Sequence, residues 1–257
     1  MGQPRPLWLR IIDWVTTIPM VIAFGATLVV GDIAARFARL FGLRPMEIAV
    51  GVAQRVLVWT FLISGVRLTV ERDPGVLTKR GYIFLSNHQS LFDVPIFGGL
   101  LFSNYPKYVA KQELGRWIPL ISFNLKRGGN VIIDRGNRIG AVRAIAGFAA
   151  TCQERNVSAV IFPEGTRSRD GDLKEFRKAG TAVLLDAAPE MAVVPTTIDG
   201  SWKLLINKMF PIPFGTKVRI RFDAPIPRKV GDDAGAIIEA TQNQITRTLA
   251  EWRAASG

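Results

Sequence analysis

The segment Ser86-Asn87-His88-Gln89-Ser90-Leu91-Phe92-Asp93 carries the single histidine of the chain, five residues ahead of an aspartate. Any imidazole chemistry drawn from this chain must therefore use His88. A neutral imidazole whose other nitrogen is held by a carboxylate is the usual means of taking a proton from an alcohol. The carboxylate fixes the tautomer and stabilises the imidazolium that forms. His88 and Asp93 are the candidate pair, with Asn87 placed to bond the nearby backbone. At about 3.6 residues per turn, this spacing would separate them around an ideal helix, so part of the segment must be a turn. Alone, the pattern is weak, because a capping histidine and a helix-start carboxylate look the same. Ser90 as a hydrolase nucleophile is disfavoured, since the surrounding sequence lacks the Gly-x-Ser-x-Gly elbow.

A second cluster, Val160-Ile161-Phe162-Pro163-Glu164-Gly165-Thr166-Arg167-Ser168, is again an apolar run followed by a turn. Gly165 permits a positive φ or a close backbone approach. Arg167 offers a planar fork suited to a phosphate, and Glu164 can accept from a hydroxyl or hold Arg167 in place. Two further apolar runs end on cations, one at Lys111 and one at Arg135. Three run ends offering Lys111, Arg135 and Arg167 make a better case for an anion site than any one of them. One histidine and one cysteine, Cys152, leave no histidine-based or cysteine-rich metal cluster to assemble within the chain, so no such metal site is expected, and proton removal by an imidazole itself calls for no cofactor.

These groups need a scaffold that brings strand ends together. From residue 66 onward short apolar runs alternate with amphipathic ones, the pattern of a mostly parallel sheet flanked by helices in an α/β domain over 66–257. Strands are expected at 66–70, 82–86, 108–110, 131–133, 157–162, 192–197 and 217–222. Asn137 is placed to cap a helix with Ile139, Val142, Ile145 and Ala149 facing inward. Ile237, Ile238, Thr241, Ile245, Leu249 and Trp252 form a second stripe near the C-terminus. In open α/β sheets ligands bind beyond the carboxyl ends of the strands, where His88 and Glu164 are expected.

Residues 1–65 differ from the rest. The uncharged stretch 14–31 is almost wholly apolar but shorter than the roughly 20 residues a spanning helix needs, and it contains Pro19 and Gly25. A second apolar stretch, 48–66, carries Gln54 and Arg55 near its middle, which lipid tolerates poorly. With arginines on both sides of the first stretch, crossing is not favoured, and the expectation is two helices dipping into one leaflet. A cleaved signal peptide and a single span are the alternatives. The first leaves the second stretch unexplained.

Lys and Arg outnumber Asp and Glu 33 to 21, a net charge of +12, which favours anionic partners. The cations are dispersed and no nucleic-acid motif is present, so no nucleic acid is expected. One cysteine excludes an internal disulfide and fits a reducing compartment.

Taken in order, these blocks resemble the glycerophospholipid acyltransferases, bacterial 1-acyl-sn-glycerol-3-phosphate acyltransferases in particular, over about 82–198. Asn87, His88 and Asp93 match an Asn-His-x4-Asp pattern. Phe162 to Ser168 reads Phe-Pro-Glu-Gly-Thr-Arg-Ser, a full match to another block. Gly129, Ile133 and Arg135 look like the block between them, although Ile132 stands where an aromatic is frequent. Lys111, Glu113, Leu114 and Pro119, and then Val194 and Pro195, look like further blocks. The resemblance implies His88 as general base and Asp93 as its partner. It implies Asn87, Lys111, Arg135, Glu164, Gly165, Thr166, Arg167 and Pro195 around the substrates, with Pro195 near the acyl chain. The implied reaction moves an acyl chain from a thioester to the sn-2 hydroxyl of lysophosphatidate, giving phosphatidic acid. Acyl-CoA or an acyl carrier protein would be the donor, at an anionic membrane surface, the cytoplasmic face of the inner membrane. Glycerol 3-phosphate or lyso-ornithine lipid as acceptor, and a non-catalytic basic membrane scaffold, are the competing readings.

Overall fold

The computed structural model describes residues 5–112, 116–134 and 136–255. Seven strands form one sheet: β1 (Arg67–Arg72), β2 (Ile83–Ser86), β3 (Lys107–Lys111), β4 (Val131–Ile133), β5 (Ala159–Ile161), β6 (Val193–Asp199) and β7 (Lys217–Phe222). Their order is β1-β7-β6-β2-β5-β3-β4. Each lies on an expected run, with ends shifted by two residues at most. The ladders are parallel except between β6 and β7, so β7 and β1 run against the other five.

Central strands of a parallel sheet are covered on both faces: β2 is buried throughout and β6 in all but its last residue, with Thr196 and Thr197 among the buried ones. Alternate side chains feed two layers. Phe84, Val160, Val194 and Phe222 join Met20, Phe61, Phe92 and Phe97 on one side. Ile83, Leu85, Ala159 and Val193 join Ile145, Phe148, Leu184 and Ile245 on the other.

The helices are α1 (Leu7–Arg39), α2 (Leu43–Thr60), α3 (Asp93–Leu100), α4 (Ile121–Arg127), α5 (Arg138–Glu154), α6 (Lys178–Ala187) and α7 (Ala234–Ala254). Asn137 caps α5, its side chain accepting from the Gly140 N–H at 2.9 Å. The inward face of α5 follows the expectation in its second half only. Ile145, Phe148, Ala149 and Cys152 are buried, whereas Ile139 and Val142 are exposed, because the first turns follow the short edge strand β4 and meet no layer. In α7 the stripe from Ile238 through Thr241, Ile245, Leu249 and Trp252 is buried as expected.

Both N-terminal helices are long and apolar enough to cross a membrane, but they differ in burial. The most apolar window of α1 is 17% buried and that of Leu43–Ser64, α2 with the turn that follows it, 50%. The two polar residues in the second stretch answer to protein. Gln54 fills space left by Gly98 of α3, where a Cβ would overlap its amide. The Arg55 guanidinium lies 4.8 Å from the Phe102 ring centroid.

Glu47, which the sequence did not single out, anchors α2 to the sheet. Its buried carboxylate takes Lys107 Nζ at 2.9 Å and Arg155 at 2.7 Å on one oxygen and Arg44 at 3.2 Å on the other. Burial lowers the pKa of Lys107, a tendency its contact with Glu47 opposes. Removing one partner of a buried pair strands the other. Glu47→Gln should therefore lower unfolding stability by about 3 kcal/mol, read from thermal melting in detergent.

Candidate active site

β2 ends on Ser86, and Asn87 then ties the emerging turn to β6. Its amide donates to Ile198 O and accepts from Ile198 N, both at 2.8 Å, prolonging the ladder by a side chain. Asn87 is 1% exposed. It is a buried tether, bonding the nearby backbone as its position in the sequence suggested.

The turn holds His88 so that Nδ1 meets Asp93 Oδ2 at 2.8 Å. Asp93 opens α3 and is wholly buried. The same Oδ2 accepts the backbone N–H groups of Gln89 and Ser90 at 2.8 and 2.9 Å, and Oδ1 accepts from Ser201 Oγ at 2.6 Å. These converging donors compensate the burial of a carboxylate. A carboxylate in such a nest can only accept, so the His88 proton sits on Nδ1 and the lone pair on Nε2. The ring stacks on Phe162 with centroids 4.0 Å apart and planes 18° apart.

The 162–168 loop braces His88 from behind. Glu164 Oε1 accepts the His88 N–H at 2.8 Å, and His88 O accepts the Ser168 N–H at 2.7 Å. Glu164, expected to contact the acceptor, is 3% exposed and lies against the His88 backbone. Burial pushes its pKa up to about 7, against the pull of the His88 amide and of Lys174. A carboxyl whose folded pKa is raised binds its proton more tightly folded than unfolded. Its contribution to stability is thus present at low pH and lost as pH rises from about 4.5 to about 7. Glu164→Gln should flatten the decline in unfolding free energy across that window, by up to about 3 kcal/mol at the upper end, read from melting at a series of pH values. An unchanged decline would place the titration elsewhere.

Gly165 takes φ +68°, and a Cβ there would meet the Arg177 side chain at 3.3 Å. Beyond it Thr166 is half-buried and Arg167 exposed. Lys174 Nζ donates to Arg167 O at 2.7 Å, and Thr166 Oγ1 lies 3.4 Å from it. Arg167, Lys174 and Arg177 thus give this loop a positive rim. β3 ends on Lys111 at the same end of the sheet. Arg135, Glu113 and Leu114 lie outside the described residues. Pro195, expected near the acyl chain, is buried within β6 opposite Leu85.

Sequence reasoning missed Ser201 and Lys174, and it named Phe162 and Ser168 within their block without giving them a role. Ser201 follows the end of β6 just as His88 follows β2 and Glu164 follows β5, and that placement was the only available signal. Behind Asp93 and Ser201 lies an apolar hollow of about 460 Å³ between α2, α3 and the β1 and β7 edge. Ile96 and Leu204, each three residues beyond one of those two, are in its lining.

The acyltransferase family model matches residues 67–199. A 1-acyl-sn-glycerol-3-phosphate acyltransferase of Cocos nucifera is 30% identical over 181 residues, covering 68% of this chain and 54% of that protein. One of Salmonella typhimurium is 28% identical over 128 residues, covering 49% and 51%. The chain spans about half the length of the curated relatives it matches. The crystal structure of the 1-acyl-sn-glycerophosphate acyltransferase PlsC from Thermotoga maritima superposes with a TM-score of 0.77 at 22% identity, over 96% of this chain and 98% of that one. That likeness carries the fold, N-terminal helices included.

Proposed function

Because this chain belongs to the acyltransferase family, we propose that it transfers an acyl chain from a thioester to the sn-2 hydroxyl of 1-acyl-sn-glycerol 3-phosphate, yielding phosphatidic acid. The carrying observation is His88, its Nδ1 held by Asp93 at 2.8 Å and its Nε2 without a hydrogen bond among the described residues, at the carboxyl end of β2. The names of the relatives favour this acceptor.

In this reading the acceptor hydroxyl donates its proton to His88 Nε2 as its oxygen attacks the thioester carbonyl. The tetrahedral adduct collapses, the C–S bond breaks, and the departing thiolate takes the proton from the imidazolium. General-base assistance accounts for about 10²-fold to 10⁴-fold, and alignment of the two bound reactants supplies much of the rest. Arg167, with Thr166 beside it and Lys111 and Arg135 from neighbouring strand ends, receives the phosphate. Asn87, Glu164 and Gly165 shape the loops, and the acyl chain runs into the apolar hollow lined by Ile96 and Leu204. No group beyond the acyl donor, acyl-CoA or acyl carrier protein, is called for.

Residues 1–65 serve as the membrane-associating segment and 66–257 as the catalytic domain. α1 offers the apolar face to one leaflet, which keeps a lipid substrate at the site. Arginines towards both ends of α1, on either side of its apolar stretch 14–31, fit a segment that stays on the cytoplasmic face of the inner membrane.

The test is to incubate purified protein with labelled acyl-CoA or acyl carrier protein and with lysophosphatidate, glycerol 3-phosphate or lyso-ornithine lipid in turn. Labelled phosphatidic acid from lysophosphatidate alone is expected. Turnover only with another acceptor would replace the proposed substrate, and none with any would remove the catalytic reading.

A further inference from the structure

We infer that the segment between β6 and β7 is a second membrane-contact element beside the active site, one that engages the headgroups of an anionic lipid bilayer. This rests on the proposal that α1 faces lipid. β6 leaves the sheet at the end where His88 lies, and Ser201 in the next turn bonds Asp93. The chain then runs outward before returning as β7 at Lys217. In that excursion Ile206 is 56% exposed and Met209, Phe210 and Phe214 about 40% each. Lys208 and Met209 take φ of +61° and +137°, conformations that non-glycine residues adopt at a cost and that surrounding structure must hold in place.

What holds the segment is α1. Thr17 Oγ1 accepts from Ile212 N at 2.9 Å and donates to Ile212 O at 3.3 Å, while Asp13 Oδ1 accepts from Phe214 N at 2.7 Å. Asp13 and Thr17 are each 1% exposed. The same turns of α1 leave Ile11, Trp14, Val15 and Ile18 open to the outside. Two separate stretches of chain thus place uncovered apolar side chains next to each other, more than a surface meant for water alone would carry.

The charge beside them fits phosphate. Arg5, Lys203 and Lys217 line a hollow of about 470 Å³ with Trp202, and no carboxylate is in that lining among the described residues. The nearby Asp13 is buried and paired with Arg5. Aromatic and aliphatic side chains at acyl depth, with cations at headgroup level, are the chemistry of a bilayer edge carrying negative lipid.

Cys152 provides the means to test this. It is the only cysteine, it is buried, and burial pushes its thiol up to about 12, which leaves it unreactive towards labels. Met209→Cys, Val15→Cys and Val230→Cys can therefore each carry one fluorophore in the full chain. Residue 230 lies beyond the end of β7, away from the active-site end of the sheet. On phosphatidylcholine vesicles containing phosphatidylglycerol, a headgroup-level nitroxide lipid should quench labels at 209 and 15 and spare the label at 230. Lys203→Gln and Lys208→Gln should each weaken binding to those vesicles about fivefold and leave binding to phosphatidylcholine alone unchanged.

A water-exposed label at 209 with a quenched label at 15 would overturn the inference and spare the membrane reading. If neither is quenched, the membrane reading itself falls. Equal weakening on neutral vesicles would overturn the headgroup assignment. Burial of the 209 label without vesicles, rising with protein concentration, would assign the surface to a second copy of the chain instead.

Discussion

His88→Ala should lower kcat/KM for acyl transfer by about 10²-fold to 10⁴-fold while leaving the chain folded and bound to vesicles. The ring is held from three sides, by Asp93 at Nδ1, by Phe162 across its face and by the 162–168 loop behind its backbone. The backbone bonds survive truncation to alanine, so the loop keeps its anchor. The loss is then one of chemistry, since no other imidazole exists to take the hydroxyl proton. Steady-state kinetics against lysophosphatidate, with circular dichroism on the same preparation, checks this. A fall of less than about tenfold in a folded variant would end the general-base assignment.

Asp93→Asn should cost about 10³-fold in kcat with little change in KM, and the reason lies in how donors are shared between the two oxygens. Oδ2 faces the His88 Nδ1 proton and two backbone N–H groups, whereas Oδ1 faces only the Ser201 hydroxyl. An asparagine must turn its oxygen towards the three donors, because backbone N–H groups cannot become acceptors. Its NH₂ then meets Ser201 Oγ, which can rotate to accept. The His88 tautomer is preserved, and what is lost is the negative charge opposite the imidazolium as it forms. Ser201→Ala should cost about tenfold in the parent and far less when combined with Asp93→Asn, since Ser201 acts through the carboxylate. Equal cost in both backgrounds would remove Ser201 from this chain of contacts.

Much of the scaffold could be read along the chain. All seven strands and the Asn137 cap were legible because they depend on neighbours a few residues apart: apolar runs bounded by turns, and a side chain three residues from the amide it caps. The pairing of His88 with Asp93 was legible as a possibility for the same reason. Ile139 and Val142 show the limit. Their spacing is that of a buried stripe, yet whether a layer covers them depends on where the sheet ends.

The residue types that can do chemistry, their order and their attachment to strand ends were written in the primary chain, because each is a matter of local spacing. Which of those residues face a substrate was a question for the packed molecule. Asn87 and Glu164 bond the backbone of β6 and of His88, and Pro195 is buried within β6, and their local sequence announces neither those partners nor that burial. Ser201, 108 residues beyond Asp93, reaches it through the pairing of β6 with β2. Contacts between residues so far apart follow from strand order and burial, to which no short window of sequence is sensitive.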